Sequence, residues 1–109
     1  GWAVSMQRRE IDLVELWCRE RTPENGWKHH PVVPQITGRH IDLIADADGI
    51  KTPIARLRYF GSPRGEGSWV LHWRDAEGTF QIYRNLPAAD AVSEILDFLA
   101  SDPDPLFWA

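Results

Sequence analysis

The feature that most constrains this chain is a period-two alternation running from Pro53 to Arg84. Ala55, Leu57 and Tyr59 take every second position of Pro53–Phe60. Trp69, Leu71 and Trp73 do the same in Ser68–Arg74, and Phe80 and Ile82 in Thr79–Arg84. Side chains of a strand point to opposite faces in turn, so each segment presents one apolar face and one polar face. The turn residues Asp75-Ala76-Glu77-Gly78 separate the last two segments. A four-residue turn there pairs Trp73 with Phe80 and Leu71 with Ile82. Closing the segment from Gly61 to Gly67 with Tyr59 opposite Trp69 brings all three alternations into phase. The stretch therefore predicts a three-stranded antiparallel meander.

The flanking segments supply what a meander needs to cover one face. From about Gln7 to Arg21 the apolar residues Ile11, Leu13, Val14, Leu16, Trp17 and Cys18 share one helical arc, with Arg8, Asp12, Glu15 and Arg19 opposite. Thr22-Pro23 ends that helix. His30–Ile36 and Arg39–Ala45 form a hairpin around Thr37-Gly38, with Pro34 facing Ile41 and Val32 facing Leu43. Pro31 and Pro34 lack ladder donors, which makes this an edge strand. Asp46-Ala47-Asp48-Gly49 is the next turn. A second helix runs from about Pro87 to Ser101, with Val92, Ile95, Leu96 and Leu99 as its apolar stripe and Asp102-Pro103 as its stop. The tail Pro105-Leu106-Phe107-Trp108 is apolar enough to require docking on the sheet or the first helix.

The fold class is therefore α+β: a twisted antiparallel sheet of about five strands flanked by an N-terminal and a C-terminal helix, in one domain over residues 1–109. The lone Cys18 excludes an internal disulfide framework. No apolar run reaches membrane-spanning length, and no secretory leader is visible. These features give the expectation of a soluble cytoplasmic protein without membrane partners. A formal charge of −4 argues against a domain that coats duplex DNA.

The polar face of the meander carries the chemistry. It is expected to display Arg56, Arg58, Val70, His72, Arg74, Gln81 and Tyr83, with Arg56 across from His72 and His72 across from Gln81. Forked guanidinium donors beside an imidazole and a phenol suit phosphate, carboxylate or a stacked base. The plain alternative is a solvated sheet face, which is polar by default. Arg56, Arg58, His72, Arg74, Gln81 and Tyr83 form the candidate ligand site.

Other constellations weigh less. His29, His30 and His40 lie close in sequence, but no ligand spacing of a metal site accompanies them. Asp46-x-Asp48-Gly49 fails the calcium-loop pattern, because its first ligand position would be Ile44 and its twelfth Ala55. Cys18 lies on an apolar arc, where a cysteine is a small hydrophobe. No phosphate loop or cofactor motif is present, so no cofactor, metal or catalytic residue is assigned.

Thr52-Pro53-Ile54-Ala55-Arg56-Leu57-Arg58-Tyr59 and Trp69-Val70-Leu71-His72-Trp73-Arg74-Asp75, with Phe80, Tyr83-Arg84 and the ending from Asp102-Pro103 to Phe107-Trp108, resemble a bacterial family labelled domain of unknown function 3024. Cys18, Arg21 and Pro23 resemble that family's Cys-x-x-Arg-x-Pro. The resemblance implies an intact domain and supplies no activity, cofactor or catalytic residue.

The function these residues suggest is a small non-enzymatic binding module for an anionic ligand, single-stranded nucleic acid or a protein partner. A phosphate-handling enzyme with His72 as general acid/base is the second reading. The third is an interaction protein, a homodimer included, that meets its partner through Trp2 and Trp27, which lie outside the apolar stripes.

Overall fold

The computed structural model describes residues 6–61, 67–101 and 104–108. The order is α1 (Arg8–Glu20), a 3₁₀ turn (Pro23–Asn25), β1 (Val32–Thr37), β2 (His40–Ala47), β3 (Ile50–Gly61), β4 (Gly67–Arg74), β5 (Phe80–Ile82), α2 (Val92–Ala100) and a second 3₁₀ turn (Pro105–Phe107). The five strands form one antiparallel sheet in the order β1-β2-β3-β4-β5. The expected α+β architecture holds. Asp102 and Pro103, the expected stop of α2, and Trp2 lie outside the described residues.

The β3–β4 ladder matches the alternation read from sequence. Ala55 pairs with Trp73, Leu57 with Leu71 and Tyr59 with Trp69. Leu57, Leu71 and Trp69 are all but fully buried, and the apolar stripes of both helices join them in one core. Val14, Trp17 and Cys18 come from α1, and Val92, Ile95, Leu96 and Leu99 from α2. Leu13 and Leu16, expected on the apolar arc, are instead each 45% exposed. The Trp69 indole N–H donates to Glu10 Oε2 at 2.7 Å, which gives a fully buried ring its polar partner and ties α1 to β4. On the far side of α1, Arg8 reaches both Asp12 and Glu15 at 2.9 Å.

Two registers differ from expectation, with different results. The β1–β2 loop is Gly38-Arg39, not Thr37-Gly38, so Pro34 pairs with Leu43 and Val32 with Ala45. Glycine at the first loop position, with φ of 54°, suits the two-residue hairpin. This slip is two residues and leaves every side chain on its expected face. The β4–β5 loop is Ala76-Glu77-Gly78, three residues, not the expected four-residue turn Asp75–Gly78. Asp75 N–H donates to Thr79 O, Gly78 N–H to Asp75 O, and Gly78 takes a left-handed φ of 84°. Both Glu77 and Thr79 N–H groups bond the Asp75 carboxylate. This closes a three-residue loop with a glycine bulge. Trp73 therefore pairs with Gln81, Arg74 with Phe80 and His72 with Ile82. A one-residue slip turns every β5 side chain over.

The second helix also starts later than expected, at Val92 rather than Pro87. Ala89 exchanges two backbone hydrogen bonds with Trp69, at 2.7 and 2.8 Å, and so extends the sheet edge before α2 can begin. Glu94 accepts from the Ala91 N–H at 3.1 Å and caps the helix there. The tail docks as expected: Phe107 is 1% exposed, its ring 5.1 Å from that of Tyr83.

Candidate functional site

Both helices and the tail contribute to the core on one side of the sheet, and the site is built on the other side. Pairing brings its residues together in rows. Asp42 of β2 lies beside Arg56 of β3, which lies beside His72 of β4 and then Ile82 of β5. The next row is His40, Arg58 and Val70. Arg74 and Phe80 form a third, short row.

Arg56 and Asp42 make a bidentate pair, with Nε 2.7 Å from Oδ1 and Nη2 3.1 Å from Oδ2. The same guanidinium lies 4.2 Å from the centre of the Phe80 ring. Arg56 is thus locked from two sides, and the hydrogen bond to Asp42 raises its pKa. His40 Nε2 stands 4.0 Å from Asp42 Oδ1. His72 is only 9% exposed, with Nδ1 3.2 Å from Val70 O. Burial lowers the pKa of both histidines, and the nearby Arg56 and Arg58 charges lower them further. Both imidazoles are therefore neutral near pH 7.

Arg58 and Arg74 are exposed and have no carboxylate partner among the described residues. Arg58 lies 5.2 Å over the Phe60 ring. Asp42, already paired, is the only carboxylate in the three rows. The rows form a net positive face, on a chain whose formal charge is −4, with the Phe80 ring at Arg56 and the ring of Phe60, which pairs with Ser68 just beyond the rows, at Arg58.

Of the six candidate residues, Arg56, Arg58, His72 and Arg74 are brought together. Gln81 and Tyr83 are not, because the β5 slip turns them to the core side. Gln81 Nε2 donates to Asp75 Oδ2 at 3.0 Å. Tyr83 is buried against Phe98 and Phe107, and its hydroxyl donates to Asp104 Oδ2 at 2.8 Å. Phe80 and Ile82, expected in the core, take their places, and Ile82 is 52% exposed. Sequence reasoning also missed His40 and Asp42. The signal was present in their alternation with the apolar Ile41 and Leu43.

Trp27 is not an isolated surface tryptophan: its ring packs edge-on to Trp17, His29 and Trp108, and its N–H donates to His30 O at 3.0 Å. Cys18 is buried and free, and burial pushes its thiol pKa up to about 12. Among the described residues, no group of three or more His, Cys, Asp or Glu is placed to hold a metal ion. No helix among them is long and apolar enough to cross a membrane.

A family model described as Domain of unknown function (DUF3024) matches residues 3–109. No curated protein matches the chain, and no solved structure does.

Proposed function

The chain belongs to the DUF3024 family, and from its geometry we propose that it is a non-enzymatic binding module that takes single-stranded nucleic acid on the outer face of its sheet. One observation carries this reading: Arg58 and Arg74 are exposed and uncompensated beside Phe60 and Phe80, on a face that neither helix covers. Aromatic rings stack on bases regardless of sequence, and unpaired arginines hold phosphates. Successive outward residues of a strand, such as Arg56, Arg58 and Phe60, stand about 6.6 Å apart, a spacing that an extended single strand can follow. The domain acts as one unit over residues 1–109, in the cytoplasm, a placement supported by its single free cysteine.

The test is a titration of isotope-labelled protein with short single-stranded oligonucleotides at several salt concentrations. Signals of Arg58, Val70, Arg74 and Phe80 should shift together. Changing Arg58 and Arg74 to Ala should flatten the salt dependence by about 0.7 log units for each phosphate that is no longer neutralised. Absence of shifts at low salt rejects the proposal.

The reading of His72 as a general acid/base has less support. His72 stands on the sheet ladder, and among the described residues the five main clefts, of about 250 to 490 Å³, are lined by others.

A further inference from the structure

A second site lies on the opposite side of the sheet, near the Asp48-Gly49 turn. There the chain between α1 and β1 and the tail flank a cleft of about 480 Å³, lined by Lys28, His29, His30, Ala45, Ala47, Thr52, Ile54 and Trp108. Its origin can be traced in sequence. Ile41 and Leu43 fill the inner face of β2, but the alternation continues as Ala45 and Ala47, which leave space beside the core. The ladder shifts register between Leu43 and Ile44, where Ile44 pairs with Pro53 and Leu43 with Ala55. The extra residue, Ile54, forms part of the cleft wall. Trp108 forms the facing wall. It is held by parallel stacking on His29 at 4.0 Å between ring centres and by the edge of Trp27 at 5.3 Å.

The chemistry of this lining is one-sided. Lys28 and two imidazoles supply its ionisable groups, and no carboxylate is among the described lining residues. One of the chain's two lysines, Lys28, lines this cleft. A lone ammonium matches a single negative charge, whereas a dianionic phosphate is better met by paired guanidinium forks. Ala45, Ala47, Ile54 and the Trp108 indole offer apolar surface to the rest of a ligand.

We infer that this cleft binds a small monocarboxylate with a flat apolar body, its carboxylate at Lys28 and its ring between Trp108 and Ile54. The site is separate from the arginine face and does not depend on it.

Benzoate and its neutral isostere benzamide are the probes, each titrated to about 20 mM into isotope-labelled protein. Benzoate should saturably shift the amide signals of Lys28 and Thr52 and the indole N–H of Trp108, with benzamide weaker by about tenfold. Lys28→Gln should bring benzoate down to the benzamide level, and Ala47→Leu should remove both by filling the space. Equal affinity for the two probes overturns the inference, as do shifts that never saturate. Unchanged benzoate binding in Lys28→Gln, an exposed position whose change leaves the core intact, overturns it as well.

Discussion

Arg56 holds Asp42 through both carboxylate oxygens, at 2.7 and 3.1 Å, across the β2–β3 ladder. The pair holds the ladder together and also masks one positive charge of the proposed binding face. Asp42→Asn should therefore change two properties in opposite directions. Stability should fall by about 1 kcal/mol, below the usual range for a charged hydrogen bond, because Arg56 keeps 28% of its side-chain exposure and solvent screens the pair. Affinity for an oligonucleotide should rise severalfold as Arg56 is released. Urea midpoints and the same titration check both. A parallel fall in the two would show that Arg56 serves structure alone.

His72 gives a pH dependence. Burial, followed by the charges of Arg58 and Arg56, lowers its folded pKa below the ordinary 6.5. The unfolded chain then binds the proton more strongly, so stability rises with pH in this range. The contribution is complete above about pH 6.5 and is lost as pH falls through that value toward the folded pKa. His72→Gln should reduce the fall in stability as pH drops below about 6.5, leaving the part that His40 contributes. An unchanged slope would remove His72 as its source.

The β5 register makes adjacent positions respond differently. Ile82→Ser, on the outer face, should change stability by less than about 0.5 kcal/mol. Tyr83→Ala, one residue on, removes a ring that is 5% exposed and should cost about 3–5 kcal/mol. Chemical denaturation of both variants checks the register. The reverse order would restore the four-residue turn.

Gly78→Ala tests the turn itself. Gly78 has a φ of 84°, and an added Cβ would come within 3.1 Å of Arg74 Nη2. The left-handed backbone alone should cost about 1–2 kcal/mol. Retention of the wild-type melting temperature would contradict the bulged loop.

Phe107 anchors the tail. It is buried to 1% exposure and touches Tyr83, so Phe107→Ala should cost about 3–5 kcal/mol. A wild-type denaturation midpoint would mean that the tail is not docked in solution.

These cases also show what was legible in sequence. The β3–β4 pairing could be read because two full alternations fix one another, and Arg56 opposite His72 followed directly. The β1–β2 slip was harmless because it was even. The β5 slip was not legible, since Phe80 and Ile82 alternate equally well with either face and only the loop conformation decides between them. Its choice rests on the Asp75 carboxylate and on Gly78, which are backbone matters. The late start of α2 was hidden for a similar reason. Pro87 is a good first helical residue, and nothing local announces that Ala89 bonds to Trp69 twenty residues away. Alternation with Ile41 and Leu43 places Asp42 on the outer face, but its bidentate partner Arg56 stands on another strand, which single-strand periodicity cannot supply.

The nearest-neighbour strand order has a kinetic consequence. Every strand pairs with the one that follows it, and two of the four connections are two-residue loops. The sheet can therefore zip one hairpin at a time, with little loop entropy to overcome at each step. Contacts between α1 and α2 join opposite ends of the chain. Docking the two helices closes the longest loop of the chain, so the core is expected to close after the hairpins have formed, with the sheet as its platform.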